Sequence, residues 1–147
     1  MIPTEDDFPE THAELYDQLQ QMFGIGTYDE VAGSEAWHRA RMVEIMKLKG
    51  LCRRRRATPK HVAIAAWYAQ QNRLPIRHSV RLFAIIPEAM RAYAAELHAS
   101  EKAARERELN QAIVTAMRTG RQDWADRLIR ASGKDVRGVL DAWAEAQ

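Results

Sequence analysis

The sequence predicts an all-α fold, a helical bundle of six to eight helices in a single domain over residues 1–147. Three observations lead to this prediction. Apolar residues recur three and four positions apart in nearly every segment, which is the spacing of an amphipathic helix. Proline, glycine and hydroxyl residues stand at intervals where helices begin and end. No segment alternates apolar and polar residues over the length of a half-buried strand.

The first helix is predicted to begin after Thr11. Thr11 with Glu14 fits a capping box, in which the hydroxyl and the carboxylate each accept a hydrogen bond from a backbone N–H at the helix start. Gly24 supplies a C-terminal stop, because glycine adopts the left-handed conformation without strain. Residues 27–30 offer a second, shorter helix start before the next long helix.

Two longer helices and a charged link are predicted to follow. Ser34 is expected to cap a helix that runs to Gly50. Residues 51–57, which include four consecutive arginines, then form the link. Pro59 marks the next helix start, since proline at the first helical position loses no hydrogen bond, and that helix is expected to reach about Gln71.

Prolines divide the segment that comes next. Pro75 is expected to begin a helix of about ten residues and Pro87 to break it, because proline lacks a backbone N–H and its ring clashes with the preceding turn. From Pro87 to Gly120 the sequence allows either one long exposed helix or two helices with a bend near Ser100, and the bend is favoured because charged residues there interrupt the apolar period. Two short helices complete the chain, the last of them capped at Asp135.

Charge is divided unevenly along the sequence. Residues 1–38 carry nine acidic side chains and no Lys or Arg, whereas residues 39–91 carry thirteen Lys or Arg and two acidic residues. The rest of the chain holds nine of each sign, so the net charge is only +2. A cationic block of this kind favours a polyanionic partner, either a nucleic-acid backbone or the protein's own acidic segment.

The basic block supplies the candidate binding residues. Guanidinium groups form bidentate hydrogen bonds with phosphate oxygens, and each phosphate contact releases condensed counterions. Four adjacent arginines repel one another unless an anion lies nearby. We therefore predict a non-catalytic protein that contacts the phosphate backbone of RNA or DNA. The predicted contact residues are Lys47, Lys49, Arg53, Arg54, Arg55, Arg56, Lys60, Arg73, Arg77 and Arg81.

Two alternatives to backbone binding stay open at this point. In the first, two central helices form a helix-turn-helix regulator, and Arg77, His78 and Arg81 lie near the start of its recognition helix, where side chains reach base edges. In the second, the basic block of a protein-interaction adaptor binds an acidic partner or the acidic amino terminus. Trp67 and Tyr68, beside the basic block, are candidates for stacking on unpaired bases.

Signals for catalysis are weak. The sequence has no phosphate-binding loop, no zinc-type set of Cys and His residues and no nucleophile elbow, so we expect no enzyme, no cofactor and no metal site. The one cysteine, Cys52, precludes an intrachain disulfide, and the four arginines after it are expected to favour its thiolate. The amino terminus lacks signal-peptide features and no apolar run approaches membrane length, so we expect a cytoplasmic protein without membrane contact.

Three features together resemble a known family: an acidic amino-terminal helix, a Lys/Arg-rich middle and a tryptophan-bearing helical carboxyl end. With them the chain resembles the small α-helical subunit of multi-subunit CRISPR effector complexes. The resemblance implies a non-catalytic role in a ribonucleoprotein complex for antiviral defence. It also implies that the subunit stacks on copies of itself, contacts other protein subunits and lays a basic face against guide and target nucleic acid. The residues that match this basic face are Arg53–Arg56, Lys60 and Arg77.

Overall fold

The computed structural model describes residues 2–132, and these residues form helices joined by loops. A 3₁₀ helix covers Glu5–Asp7. Five α-helices follow: α1 (His12–Phe23), α2 (Glu35–Arg55), α3 (Pro59–Gln71), α4 (Val80–Arg118) and α5 (Gln122–Ser132). Residues 2–132 contain no strand, so the all-α class is confirmed, with fewer helices than predicted. The last predicted helix, from Asp135, lies outside the described residues.

The predicted starts of α1, α2 and α3 are confirmed, although the Glu14 carboxylate accepts from the backbone N–H of Glu10 rather than of Thr11, so the predicted capping box is only half formed. The side-chain oxygens of Thr11, Ser34 and Thr58 each accept a hydrogen bond from the backbone N–H three residues on, at 3.2, 3.1 and 3.3 Å. Each bond satisfies one of the N–H groups that a helix start leaves without a partner. At the other end of α1, Gly24 adopts the left-handed conformation, with φ of +68°.

The predicted stop at Gly50 is wrong, since α2 continues through Arg55. Leu48 and Cys52, on either side of Gly50, are both buried in the core, and their burial requires the helix to continue. The arginines of the last turn add to this, because cations near a helix C-terminus interact favourably with the helix dipole. Most of the predicted charged link is therefore helix.

The predicted helix from Pro75 and the predicted break at Pro87 are also wrong. Residues 72–79 form an irregular connection, and α4 begins only at Val80 and runs through Pro87. Proline lacks the N–H that the Phe83 carbonyl would bind, which costs one helical hydrogen bond. Leu82 and Ala89 are fully buried on either side of it, and their packing holds the helix together.

Two further expectations differ from the structure. Residues 27–30 form a loop rather than a short helix. Helix α4 shows no interruption at Ser100, where a bend was expected. The charged residues 101–108 carry opposite signs four positions apart, which supports an exposed helix even without an apolar period.

The chain divides into two compact units, Met1–Glu96 and Leu97–Gln147. The core of the first unit contains the fully buried side chains Leu15, Leu19, Val62, Ile64 and Leu82. The second unit has a smaller apolar cluster of Ile113, Val114, Ala116 and Ala125. All ten predicted contact residues belong to the first unit. Within residues 2–132, no helix combines the length and hydropathy that crossing a bilayer requires.

Candidate nucleic-acid interface

Four arginines surround the carboxyl end of α2, and we refer to Arg53–Arg56 as the basic collar. Arg53, Arg54 and Arg55 form the last turn of the helix, and Arg56 is its C-cap. Successive residues of an α-helix are rotated by about 100°, so the three helical arginines point in three different directions. All four side chains are exposed, and none forms an ion pair with a carboxylate of residues 2–132. The collar is therefore open to an external anion.

A cleft of about 300 Å³ extends the basic surface along one side of α2. Lys47 and Arg77 both line this cleft, Lys47 from α2 and Arg77 from the connection before α4. Lys47 lies two turns before Arg54, so the two side chains leave the same side of the helix about 10 Å apart. Glu44 partly neutralises Lys47 across 3.3 Å. The structure thus places Lys47 and Arg77 in one cleft, and helix geometry places Arg54 on the same side of α2 as Lys47.

A second groove adjoins the collar where α2 turns into α3. Arg55 and Arg56 line it together with His61, Pro87 and Met90, and its volume is about 330 Å³. The groove combines guanidinium groups with an apolar wall from α4. Such a combination can contact both a phosphate and the flat surface of a sugar or base.

The ten predicted residues do not all share one face of the fold. Lys49 and Arg53 leave α2 on the side away from Lys47 and Arg54, because helical rotation separates them. Lys60 and Arg73 stand near opposite ends of α3, about 20 Å apart along the helix.

The remaining predicted residue is Arg81. It is the second residue of α4 and its side chain is exposed.

The acidic amino-terminal segment pairs with only part of the basic block. Lys60 Nζ lies 2.6 Å from Glu5 Oε1, so this predicted contact residue already has an anion. Arg41 forms a bidentate pair with Asp17 at 2.9 and 3.2 Å, and these hydrogen bonds raise the pKa of Arg41. Among residues 2–132, these are the two ion pairs that join the acidic segment to the basic block. The collar is not among their members.

Two arginines occupy positions where helices usually place glycine. Arg56 and Arg73 have φ of 53° and 52°, in the left-handed region. Each follows the last turn of its helix, and the next N–H bonds back five residues: Ala57 to the Cys52 carbonyl at 2.9 Å, and Leu74 to the Ala69 carbonyl at 2.8 Å. This is the Schellman pattern, in which a residue with a Cβ is strained by about 1 kcal/mol. Sequence reasoning missed both sites because no glycine marks them.

Replacing Arg56 with glycine should therefore stabilise the fold. We expect Arg56→Gly to raise the free energy of unfolding by about 0.5–1 kcal/mol, since relief of the left-handed strain exceeds the entropy that glycine adds to the unfolded chain. Thermal unfolding followed by circular dichroism should show Tm higher by about 1–4 °C. The matched control is Arg55→Gly, inside the last turn of α2, and it should lower the free energy of unfolding by about 1 kcal/mol instead. Equal losses in both variants would contradict strain at Arg56.

The prediction for Cys52 is wrong. Its thiol is 2% exposed, and this burial raises its pKa, so the thiolate is disfavoured. Cys52 faces the core beside Leu48, whereas the arginines that follow it in sequence project into solvent. Within residues 2–132, no group of three or more His, Cys, Asp or Glu side chains is placed to hold a metal ion.

The two aromatic stacking candidates, Trp67 and Tyr68, each contact another side chain of the first unit. Trp67 packs against the core, and its ring meets that of Tyr93 edge-on at 5.9 Å. The Tyr68 hydroxyl lies 3.5 Å from a carboxylate oxygen of Glu88. Both residues are half-buried, and their stacking on a base stays a prediction.

The connection between α3 and α4 does not favour a helix-turn-helix. That motif joins its helices by three or four residues, whereas residues 72–79 separate α3 from α4. Arg77 and His78 lie in this connection rather than on a recognition helix, and Arg81 alone of the three is helical.

No protein-family model matches the chain, and neither a curated protein nor a solved structure is significantly similar to it. The function of the basic collar must therefore be inferred from its own chemistry.

Proposed function

We propose that this protein binds nucleic acid without catalysing a reaction, by contacting the phosphate backbone through the basic collar together with Lys47 and Arg77. It works in the cytoplasm as a small subunit of a larger ribonucleoprotein complex. The observation that carries the proposal is the collar, which consists of four exposed arginines without a carboxylate partner in residues 2–132.

Electrostatics support an external polyanion at the collar. The four guanidinium groups of the collar carry the same charge at one helix end and repel one another, by an amount that falls as their separation increases. Phosphate oxygens relieve this repulsion, and each guanidinium can bind them in a bidentate geometry. The acidic amino-terminal segment of the chain forms ion pairs with Arg41 and Lys60 instead of with the collar.

Backbone conformation supports a role for the arginine side chains themselves. Arg56 and Arg73 hold the left-handed conformation, which glycine would adopt without strain. Strained backbone positions cluster at functional sites, so an arginine rather than a glycine at these positions agrees with a role for its side chain. Arg56 belongs to the collar, and its guanidinium gives the helix end a fourth phosphate ligand.

The rotation of the collar limits how many residues one duplex can touch. A single duplex lies against one side of α2, so we expect about four phosphate contacts, from residues such as Arg54, Lys47 and Arg77. Further contacts come from neighbouring copies or other subunits of the complex. A small number of contacts per chain agrees with the resemblance to the small CRISPR effector subunit. In that family, copies of the subunit stack and together present a basic face to the nucleic acid.

Salt dependence tests this proposal directly. Binding to single- and double-stranded RNA and DNA of mixed sequence should be measured between about 0.05 and 0.3 M NaCl. Four duplex phosphate contacts predict a log–log slope of about −3.6. A peptide nucleic acid of the same sequence, which has no phosphates, is the matched control and should not bind.

Two results would contradict backbone binding. The first is no binding to any of these nucleic acids at about 0.1 M salt, which would favour an adaptor for an acidic protein. The second is a preference of about 10³ or more for one sequence over random DNA, which would favour a base-reading regulator.

A further inference from the structure

The outer face of α2 carries three exposed apolar side chains within little more than one turn. Met42, Val43 and Met46 are 54, 50 and 67% exposed. Exposed apolar side chains are ordinary when they occur singly, but a contiguous group with a polar rim indicates an interaction site. Helix α2 already buries its opposite side in the core through Leu48 and Cys52. Helix α2 thus has two apolar sides, one packed in the core and the other exposed.

The spacing on this outer face is that of a helix-docking surface. Arg39, Val43, Met46, Gly50 and Arg53 follow one another at intervals of four, three, four and three residues. This is the spacing with which one helix receives the side chains of another. We call these five residues with Met42 the α2 outer face.

Gly50 gives this face a gap that the fold itself does not require. A Cβ at Gly50 would meet nothing within 4 Å, so no neighbouring element demands the absence of a side chain. Glycine in the interior of a helix costs about 1 kcal/mol relative to alanine. The gap lies one turn after Met46, where a large side chain of a partner can enter between Met46 and Arg53.

We propose that the α2 outer face binds an amphipathic, acidic α-helix of another protein. Basic side chains border the apolar group at both ends and on both flanks: Arg39, Lys47, Lys49, Arg53 and Arg54. Of these five, only Lys47 pairs with a carboxylate of residues 2–132. A partner helix with leucine-like residues on one side and Asp or Glu beside them matches both the apolar group and its rim. Methionine suits such a surface because its flexible side chain adapts to the partner.

Charge argues against two other occupants. If two copies of the chain met through this same face, the arginines and lysines of both rims would oppose each other, which is unfavourable. A nucleic-acid backbone would satisfy the basic rim but would leave Met42, Val43 and Met46 in water. The inference needs no nucleic acid, but the rim shares Lys47, Arg53 and Arg54 with the proposed nucleic-acid interface, so a partner helix and a nucleic acid would compete for these three side chains.

A synthetic helix tests the proposal. The probe is a fluorescein-labelled peptide of about 21 residues with leucine at the a and d positions and glutamate beside them, and its binding to the full chain is followed by fluorescence anisotropy. We expect Met46→Asp to weaken binding at least about tenfold, because it places a charge at the centre of the contact. Higher salt should weaken binding as well.

The controls match this probe and this variant. One control peptide has the same composition with its leucines spread around the helix, and another carries lysine in place of glutamate; neither should bind. Val31→Asp is the control variant, since Val31 is 79% exposed and lies outside α2, and it should bind the probe like the unchanged chain. Far-UV circular dichroism confirms that each variant is folded.

Four results would overturn the proposal. Equal binding of the peptide with dispersed leucines, or unchanged binding by Met46→Asp, would show that the outer face does not recognise an amphipathic helix. Sedimentation velocity of the chain alone would identify a second copy as the occupant if Met46→Asp abolished self-association. Sedimentation with anionic lipid vesicles would identify a membrane surface if Met46→Asp abolished that binding.

Discussion

Reversing the charge of Arg54 and Arg55 should weaken binding to every RNA and DNA sequence by about two orders of magnitude near 0.1 M salt. Each phosphate contact releases condensed counterions from the nucleic acid, and this release favours binding. Losing one contact therefore lowers the affinity about tenfold at this salt concentration. The double variant Arg54→Glu, Arg55→Glu should also make the log–log salt slope shallower by about 2. Both side chains are exposed and without a carboxylate partner in residues 2–132, so the fold should tolerate the change.

The matched control makes the same charge change elsewhere. Arg105 and Arg107 are exposed on α4, where Glu106 and Glu108 alternate with them, and they lie outside the collar. The variant Arg105→Glu, Arg107→Glu should lower affinity only by the small effect of net charge. Equal losses in the two variants would show that net charge, rather than contact at the collar, governs binding. A loss confined to one sequence would indicate base readout instead.

Replacing Gly26 with alanine should lower the free energy of unfolding by about 3 kcal/mol, which is a fall in Tm of roughly 6–12 °C. Gly26 has φ of +74°, where a residue with a Cβ is strained. An added Cβ would also overlap the Tyr16 hydroxyl. Tyr16 is 2% exposed, so its ring cannot move aside without disturbing the core.

The same overlap would break a hydrogen bond. The Tyr16 hydroxyl donates to the Gly26 carbonyl at 2.8 Å and lies 3.1 Å from the Tyr28 hydroxyl. Burial, together with these neighbours, raises the pKa of Tyr16, so the group stays a neutral donor. Losing the bond inside the fold would leave a buried hydroxyl without its acceptor.

Gly33 provides the control for this prediction. Its φ is +86°, but a Cβ there would meet nothing within 4 Å. Gly33→Ala should therefore lower the free energy of unfolding by only about 1 kcal/mol, which is the strain of a residue with a Cβ in the left-handed conformation. Urea unfolding of both variants separates the two contributions, and equal losses would contradict the overlap with Tyr16.

Local signals predicted the starts of the first three α-helices. Thr11, Ser34 and Thr58 begin helices because a hydroxyl next to a free N–H acts within one turn, whatever the rest of the chain does. Gly50 and Pro87 misled the prediction for the opposite reason. Their local preference against helix is outweighed by buried neighbours, and burial depends on residues that are distant in sequence.

The site was predictable in composition but not in geometry. A run of four arginines is visible in the sequence, yet their separation around a helix follows only from α2 continuing past Gly50. The pairing of Lys60 with Glu5 joins residues 55 positions apart, which no local pattern indicates. Cys52 shows the same limit. Its side chain is buried in the core, whereas the side chains of the arginines that follow it in sequence point into solvent.

Arg53 and Arg55 leave α2 in nearly opposite directions, and under the proposed function this determines how the protein holds nucleic-acid strands. A strand that runs past one of these guanidinium groups leaves the other unoccupied, because the body of α2 stands between them. A second strand can be held there at the same time. The tip of a single helix then works as a spacer that keeps two polyanions at a fixed distance, rather than as a cradle for one.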